Sequence, residues 1–364
     1  MSKHQIRLNT VNLMLILSFL LVAFGCQFFS SGILSPTPTP IGVSVPPDEA
    51  WYSVHFTTPG SPEANSYHGG PGAAVAEAIQ KAHIGVDVAA YTFNLWEIRD
   101  ALLDAQRRGL TVRMVTDSDR MEEREIRELI EAGIPVKGDR SDSLMHNKFF
   151  IIDRNEVWTG SMNPTLGGAF YDNNNLVRIK SSEVAALYED EFEEMFVDMA
   201  FSRGSMEKTV NNLLTIDSTL VEVYFSPEDG TAHRIVELIE NADESVYFLA
   251  YAFTADDIAA AMISQASSGL DVAGVMDLEQ YRSNIGTEYK RLLSGGVDVY
   301  LDENSGLMHH KVIILDEHIV ITGSYNFSAS AEKKNDENTI IFHNSNIAAI
   351  FLEEFRRVYN EAKR

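Results

Sequence analysis

The sequence predicts an α/β protein made of two duplicated α/β/α halves, each with a mixed, largely parallel sheet. The halves are related by a pseudo-twofold axis, with one active site at their interface. Three observations predict it: apolar strand-like runs alternate with helical stretches, the whole pattern occurs twice in register, and each copy carries the same polar constellation at the same place.

The alternation comes first. In the first copy Val86–Phe93 reads as a strand, followed by a helical stretch ending at Arg108-Gly109 and a second strand, Leu110–Asp117. In the second copy Ser245–Phe253 leads to a helical stretch ending at Ser268-Gly269 and then to Leu270–Asp277. Strand–helix–strand order implies parallel neighbours covered on both faces. Gly at the helix ends fits the usual stop signal. Gly69-Gly-Pro-Gly72 is too loose for a phosphate loop and reads as a flexible turn.

The repeat is exact in register. Tyr91, Gly109 and Asp117 match Tyr251, Gly269 and Asp277 at an offset of 160. Beyond a three-residue insertion the offset is 163, pairing Gly133 with Gly296, His146 with His309 and Asn175 with Asn338. Phe192 and Phe196 correspond to Phe355 and Tyr359, aromatic pairs at i and i+4 on one helix face.

The constellation is H-x-K-x4-D-x6-G-S-x-N. It runs His146, Lys148, Asp153, Gly160-Ser161 and Asn163 in one copy, and His309, Lys311, Asp316, Gly323-Ser324 and Asn326 in the other. Each HxK opens an apolar run, Phe149–Ile152 or Val312–Leu315, so strand alternation turns His and Lys to one side and His310 to the other. Asp153 and Asp316 fall in turn-forming sequence and are expected to fix hairpins, structural or orienting rather than touching substrate. The hairpin then returns Gly-Ser-x-Asn to the level of the His and Lys. Tyr91 and Tyr251, ending matched strands, fit either pocket lining or core.

This motif, present twice, resembles that of the phospholipase D superfamily, and the likeness spans nearly the whole chain beyond residue 50. The resemblance implies phosphodiester hydrolysis through a phosphohistidine. His146 would be the nucleophile and His309 the acid, with the reverse assignment left open by the symmetry. Lys148, Lys311, Asn163 and Asn326 would bind the non-bridging oxygens, and Ser161 and Ser324 would contact substrate. A carboxylate that orients a histidine is expected downstream. Glu337 fills that place in the second copy, whereas its counterpart in the first is Asn174. No cofactor is expected. Without a Cys cluster or HExxH, and with two lysines beside the histidines, no metal is expected either.

The N-terminus bears on location. Lys3 and Arg7 precede the apolar run Leu13–Gly25 and then Cys26, the only cysteine. The run is short of the roughly 20 residues a membrane-spanning helix needs. Cys26 after Ala23-Phe24-Gly25 resembles a bacterial lipobox. The expected product is secreted across the cytoplasmic membrane and held at its outer face through a lipidated Cys26. The expected organisation is a signal peptide over 1–25, a Pro/Thr-rich spacer over 26–50, a first half over 51–203 (motif 146–163), a linker over 204–218 and a second half over 219–364 (motif 309–326).

Charge narrows the substrate. A formal net charge of −24 repels polyanions at long range. The expected substrate is a glycerophospholipid, cleaved at its head-group phosphodiester to phosphatidic acid by a monomer at a membrane surface. Nucleic acid, cut by a secreted metal-independent endonuclease, is the alternative. A non-catalytic surface lipoprotein is disfavoured by two complete motifs.

Overall fold

A computed structural model describes residues 50–204, 209 and 211–364. The signal sequence, Cys26 and most of the spacer expected from the sequence lie outside these residues. Among the described residues no helix is long and apolar enough to cross a membrane.

The first half contains β1 (Tyr52–Phe56), α1 (Pro62–Asn65), α2 (Gly70–Lys81), β2 (Gly85–Ala90), α3 (Trp96–Arg107), β3 (Thr111–Thr116), α4 (Arg124–Glu131), β4 (Val136–Gly138), β5 (Lys148–Ile152), β6 (Glu156–Gly160), α5 (Leu166–Phe170), β7 (Asn175–Lys180) and α6 (Ser182–Glu193). The second half contains β8 (Leu213–Ile216), β9 (Thr219–Ser226), α7 (Thr231–Glu240), β10 (Ser245–Ala250), α8 (Asp256–Ser268), β11 (Asp271–Asp277), α9 (Leu278–Ser283), α10 (Tyr289–Ser294), β12 (Asp298–Asp302), β13 (Lys311–Leu315), β14 (Ile319–Gly323), α11 (Ala329–Lys333), β15 (Glu337–His343) and α12 (Ser345–Ala362).

The strands form two sheets, ordered β1-β7-β6-β5-β2-β3-β4 and β12-β11-β10-β13-β14-β15-β9-β8. Both are mixed, but the parallel portion is smaller than expected. Only β2–β3–β4 and β10–β11–β12 pair in parallel, and every other neighbour is antiparallel. The reason is local. The motif hairpin, β5–β6 or β13–β14, meanders directly into β7 or β15, and a meander can only pair antiparallel.

Two further expectations are corrected. The segment 204–218, read as a linker, contains β8. Asp217 and Ser218, both with positive φ, turn it back onto β9 as a two-residue hairpin, and its side chains are alternately exposed and half-buried. Gly69-Gly-Pro-Gly72 is not a flexible turn but the opening of α2, with Gly69 as N-cap and Pro71 in the first turn.

Each half has an outer core, such as Val75, Ile98 and Phe150 in the first and Ile239, Ile258 and Phe248 in the second. A third cluster belongs to both halves. Tyr188 packs edge-on to Phe149 of its own half and Phe225 of the other, with Val177, Val223 and Phe342 around them. The interface is therefore dry core, buried as deeply as either half's own.

Asp153 and Asp316 sit in left-handed turns and close each half from outside. The Asp153 carboxylate accepts from the backbone N–H groups of His83, Ile84 and Gly85, and Asp316 from Asp243, Glu244 and Ser245, at 2.7–3.1 Å. Each ties the motif hairpin to the start of β2 or β10. Asp153→Ala or Asp316→Ala should each lower unfolding free energy by about 2–4 kcal/mol, the cost of stranding N–H groups bonded to a charge. Urea titration at neutral pH checks this, and a loss under 1 kcal/mol in both variants would rule out the role.

Candidate active site

Just ahead of β5 and β13 the chain leaves its own sheet and pairs with the other half. His146 N donates to Asp336 O, and His309 N donates to Asn173 O, both at 2.9 Å. The partner bonds, Asp336 N to Leu144 O and Asn173 N to Leu307 O, complete two short parallel bridges. This exchange brings the two histidines into one site.

Their side-chain partners also come from the opposite half. His146 Nδ1 lies 2.7 Å from Glu337 Oε2, and His309 Nδ1 lies 2.9 Å from Asn174 Oδ1. Glu337 thus serves the histidine of the other copy, a crossing that linear order does not show. Ser324 Oγ donates to Glu337 Oε2 at 2.7 Å, and Asn335 Nδ2 donates to Oε1 at 3.1 Å. Asn174 is fixed in turn: its Nδ2 donates to Gly168 O at 2.9 Å, so its oxygen faces His309 and also accepts from Ser161 Oγ. An amide oxygen only accepts, so His309 carries its proton on Nδ1 and turns the Nε2 lone pair the other way.

Ser161 and Ser324, expected to contact substrate, are fully buried. Their hydroxyls hold Asn174 and Glu337 and receive the backbone N–H of Asn175 and Asn338. They stand behind the histidines and orient the orienters. The preceding glycines are required by closeness: a Cβ on Gly160 or Gly323 would run into the carbonyl of Asn175 or Asn338 on the adjacent strand.

Lys148 and Lys311 are buried and donate to the carbonyls of their own motif histidines at 2.7 and 2.8 Å. The rings of Tyr91 and Tyr251 flank His146 and His309 at 5.2 and 4.5 Å and lie beneath the two ammonium groups. Both tyrosines are half-buried and line the site rather than the core. The side-chain oxygens of Asn163 and Asn326 are buried without a hydrogen bond.

Asn147 and His310, between the key positions, face away as alternation requires. Asn147 donates to Glu191 at 3.2 Å and accepts from Asn338 Nδ2 at 2.9 Å, while His310 bridges Asn175 at 3.0 Å and Glu354 at 3.1 Å. Asn175 and Asn338 thus bond across the interface in both directions. Their shared offset of 163 is the signal that could have marked them from sequence.

Electrostatics define what the site binds. Burial drives Lys148 down to about 7, against the attraction of Glu337, and drives Lys311 well below its ordinary range, with Lys148 adding repulsion. Burial also lowers His146 to about 4 although Glu337 opposes it, and lowers His309 well below its ordinary range, with Lys311 and Lys148 repelling its proton. Glu337 is the carboxylate bonded to a histidine of the site and attracts both lysines, while Asp172 and Asp277 act on Lys311 as well. A phosphodiester bound there would bring negative charge beside the lysines and histidines and raise all four proton affinities.

Comparison with known proteins gives the class these features define. The family model described as "Cardiolipin synthase, PLD-like domain" matches residues 75–196 and again 235–359, and the chain belongs to this phospholipase D-like family. A protein of Rickettsia prowazekii named phospholipase D is 32% identical over 167 residues, 45% of this chain and 80% of that one. A mitochondrial cardiolipin hydrolase of Xenopus tropicalis is 32% identical over 133 residues, 36% of this chain and 63% of that one. The crystal structure of phosphatidylserine synthase from Haemophilus influenzae shares the fold, with a TM-score of 0.65 over 85% of this chain and 86% of its own at 12% identity. The protein is a phosphodiester-cleaving hydrolase.

The lowered histidines make the fold sensitive to acid. Unfolded histidine titrates near 6.5, so between about 6.5 and about 4 the unfolded chain binds more protons than the native one, and stability falls as pH falls. Unfolding free energy should drop more steeply over that range in the native protein than in a His146→Gln, His309→Gln double variant, which lacks both rings. Equal slopes in chemical denaturation would contradict the neutral, buried state.

Proposed function

We propose that the protein is a phospholipase D that hydrolyses the head-group phosphodiester of a glycerophospholipid through a phosphohistidine. One observation carries the division of labour: His146 is paired with a carboxylate and His309 with a neutral amide. A carboxylate on Nδ1 stabilises the positive charge that develops when Nε2 becomes a nucleophile. His309 lacks that support and is the better proton donor once a phosphate raises its proton affinity.

In the first step His146 Nε2 attacks phosphorus, the bond to the head-group oxygen breaks, and protonated His309 gives that oxygen its proton. In the second step His309 takes a proton from water, the hydroxyl oxygen bonds to phosphorus, and the bond to His146 breaks to release phosphatidic acid. Lys148 and Lys311 bind the non-bridging oxygens and offset charge in the transition state, with the amides of Asn163 and Asn326 beside them. Lipid is favoured over nucleic acid by the net charge of −24 and by the named activities of the phospholipase D and cardiolipin hydrolase relatives. Lipidation at Cys26 would hold the enzyme on its substrate, and radiolabelled-lipid incorporation lost in Cys26→Ser tests that anchor.

Residues 51–364 should release head group from phospholipid vesicles faster than they cut single-stranded DNA or RNA. The reverse order would replace the lipid reading. His309→Ala should lose roughly 10²–10⁴-fold on a natural head group yet retain much of its rate on an ester with a nitrophenolate leaving group, which needs no proton. His146→Ala should lose both. Rapid-quench mass spectrometry should find the phosphoryl mass on the His146 peptide, and finding it on the His309 peptide would reverse the roles.

A further inference from the structure

One half leaves hollow a place that the other half fills. Between α2 and strands β1, β6 and β7 lies a cavity of about 440 Å³, within the size range of small-molecule sites. It contains none of the active-site histidines, lysines or asparagines. Its strand side includes Ser53, His55, Trp158 and Arg178, and its helix side Ala74 and Ala78. In the second half the equivalent place is occupied. Ser53 pairs with Arg178 across the sheet and Glu222 pairs with Ile341, so Ser53 answers to Glu222 at the offset of 163. Ala74 and Ala78 answer to Arg234 and Leu238 at the offset of 160. There Arg234 grips the Glu222 carboxylate with two hydrogen bonds, at 2.9 and 2.8 Å. A serine and an alanine in place of that pair leave the cavity.

What is missing from the cavity is a carboxylate, while the groups around it remain donors. Besides Arg234, Glu222 is bonded by Tyr224 at 2.7 Å and His343 at 2.6 Å. By the same register their counterparts are His55 and Lys180, and both border the cavity. The carboxylates that also border it are committed. Both Asp153 oxygens accept from backbone N–H groups, Glu156 holds Trp158 Nε1 at 2.7 Å and Arg178 at 2.9 Å, and Glu77 pairs with Lys81 at 2.8 Å. Lys180, exposed at the rim, has no carboxylate partner among the described residues. Burial, and after it the charge of Arg178, push His55 below its ordinary range, so the ring stays neutral at neutral pH and bonds Ser53 Oγ at 2.9 Å. The His55 and Trp158 rings lie 5.2 Å apart, and with the two alanines they give the cavity a largely flat, apolar lining.

We propose that this cavity is a second binding site, separate from the catalytic one, for a compact aromatic carboxylate. The ligand's ring packs against His55, Trp158 and the alanines, and its carboxylate takes the part that Glu222 plays in the other half, facing Arg178 and Lys180. Rings gain from contact with rings and methyl groups, and a carboxylate gains a charge-assisted hydrogen bond from either cation. The site is independent of which phosphodiester the enzyme cleaves.

Calorimetric titration of the native protein with 2-naphthoate tests this. One equivalent should bind. Ser53→Glu with Ala74→Arg in one chain rebuilds the other half's ion pair inside the cavity and should weaken binding roughly tenfold or more. Ala74→Met alone, a filling compatible with the helix, should weaken it in the same direction. None of these positions belongs to the catalytic machinery, so circular dichroism and turnover of bis-p-nitrophenyl phosphate should stay native. Lys180→Ala should weaken 2-naphthoate roughly threefold and leave naphthalene-2-methanol unchanged. Absence of binding up to about 1 mM overturns the proposal, as does native affinity in the folded filling variants. Naphthoate that competes with the nitrophenyl ester and binds the double variant undiminished sits in the active site and overturns it too. Equal affinity for the acid and the alcohol overturns the choice of an anion.

Discussion

Everything in the site depends on the exchange of short backbone bridges between the halves. The Leu144–His146 segment pairs with Asp336, and the Leu307–His309 segment pairs with Asn173. One residue further along, each exchanged segment delivers the group that holds the opposite histidine, Glu337 to His146 and Asn174 to His309. A half on its own would keep its lysine and histidine but lose the partner of the histidine ring. The shared core around Tyr188 supplies the burial that keeps these bridges dry. A buried backbone group left unpaired costs more than its bond contributes, so the exchange also fixes the register of the two halves.

The same burial sets the chemistry. Removing two lysines from water disfavours their charges more than the nearby carboxylates, Glu337 for both and Asp172 and Asp277 for Lys311, restore them. A phosphodiester bound beside the lysines would offset that cost with its own negative charge. Duplication would otherwise make the halves equivalent, and the two-step reaction proposed needs them unequal. A single difference, Glu337 against Asn174, breaks the equivalence at the histidines themselves.

Much of this was legible in sequence because duplication doubles every signal. The HxK and GSxN positions, the inward turn of each His and Lys, and the outward turn of His310 follow from strand alternation and a constant offset. The fate of the serines was not legible. A hydroxyl beside a substrate and one behind a histidine look identical in a motif, and only the close packing of β6 on β7 and of β14 on β15 puts Ser161 and Ser324 behind. The predominance of antiparallel pairing and the edge strand β8 were missed because a meander and a short polar-flanked run carry weak periodicity. The crossing of Glu337 to His146 was hidden for a different reason: linear order carries no information about which half a side chain faces.

The account's central claim is that the cross-half partner decides which histidine becomes the nucleophile. Exchanging the partners, with Asn174→Glu and Glu337→Asn in one chain, tests it directly through rapid-quench mass spectrometry on a nitrophenyl phosphodiester that needs no leaving-group proton. The account predicts that the phosphoryl adduct moves from the His146 peptide to the His309 peptide. An adduct that stays on His146 at the native rate would contradict it.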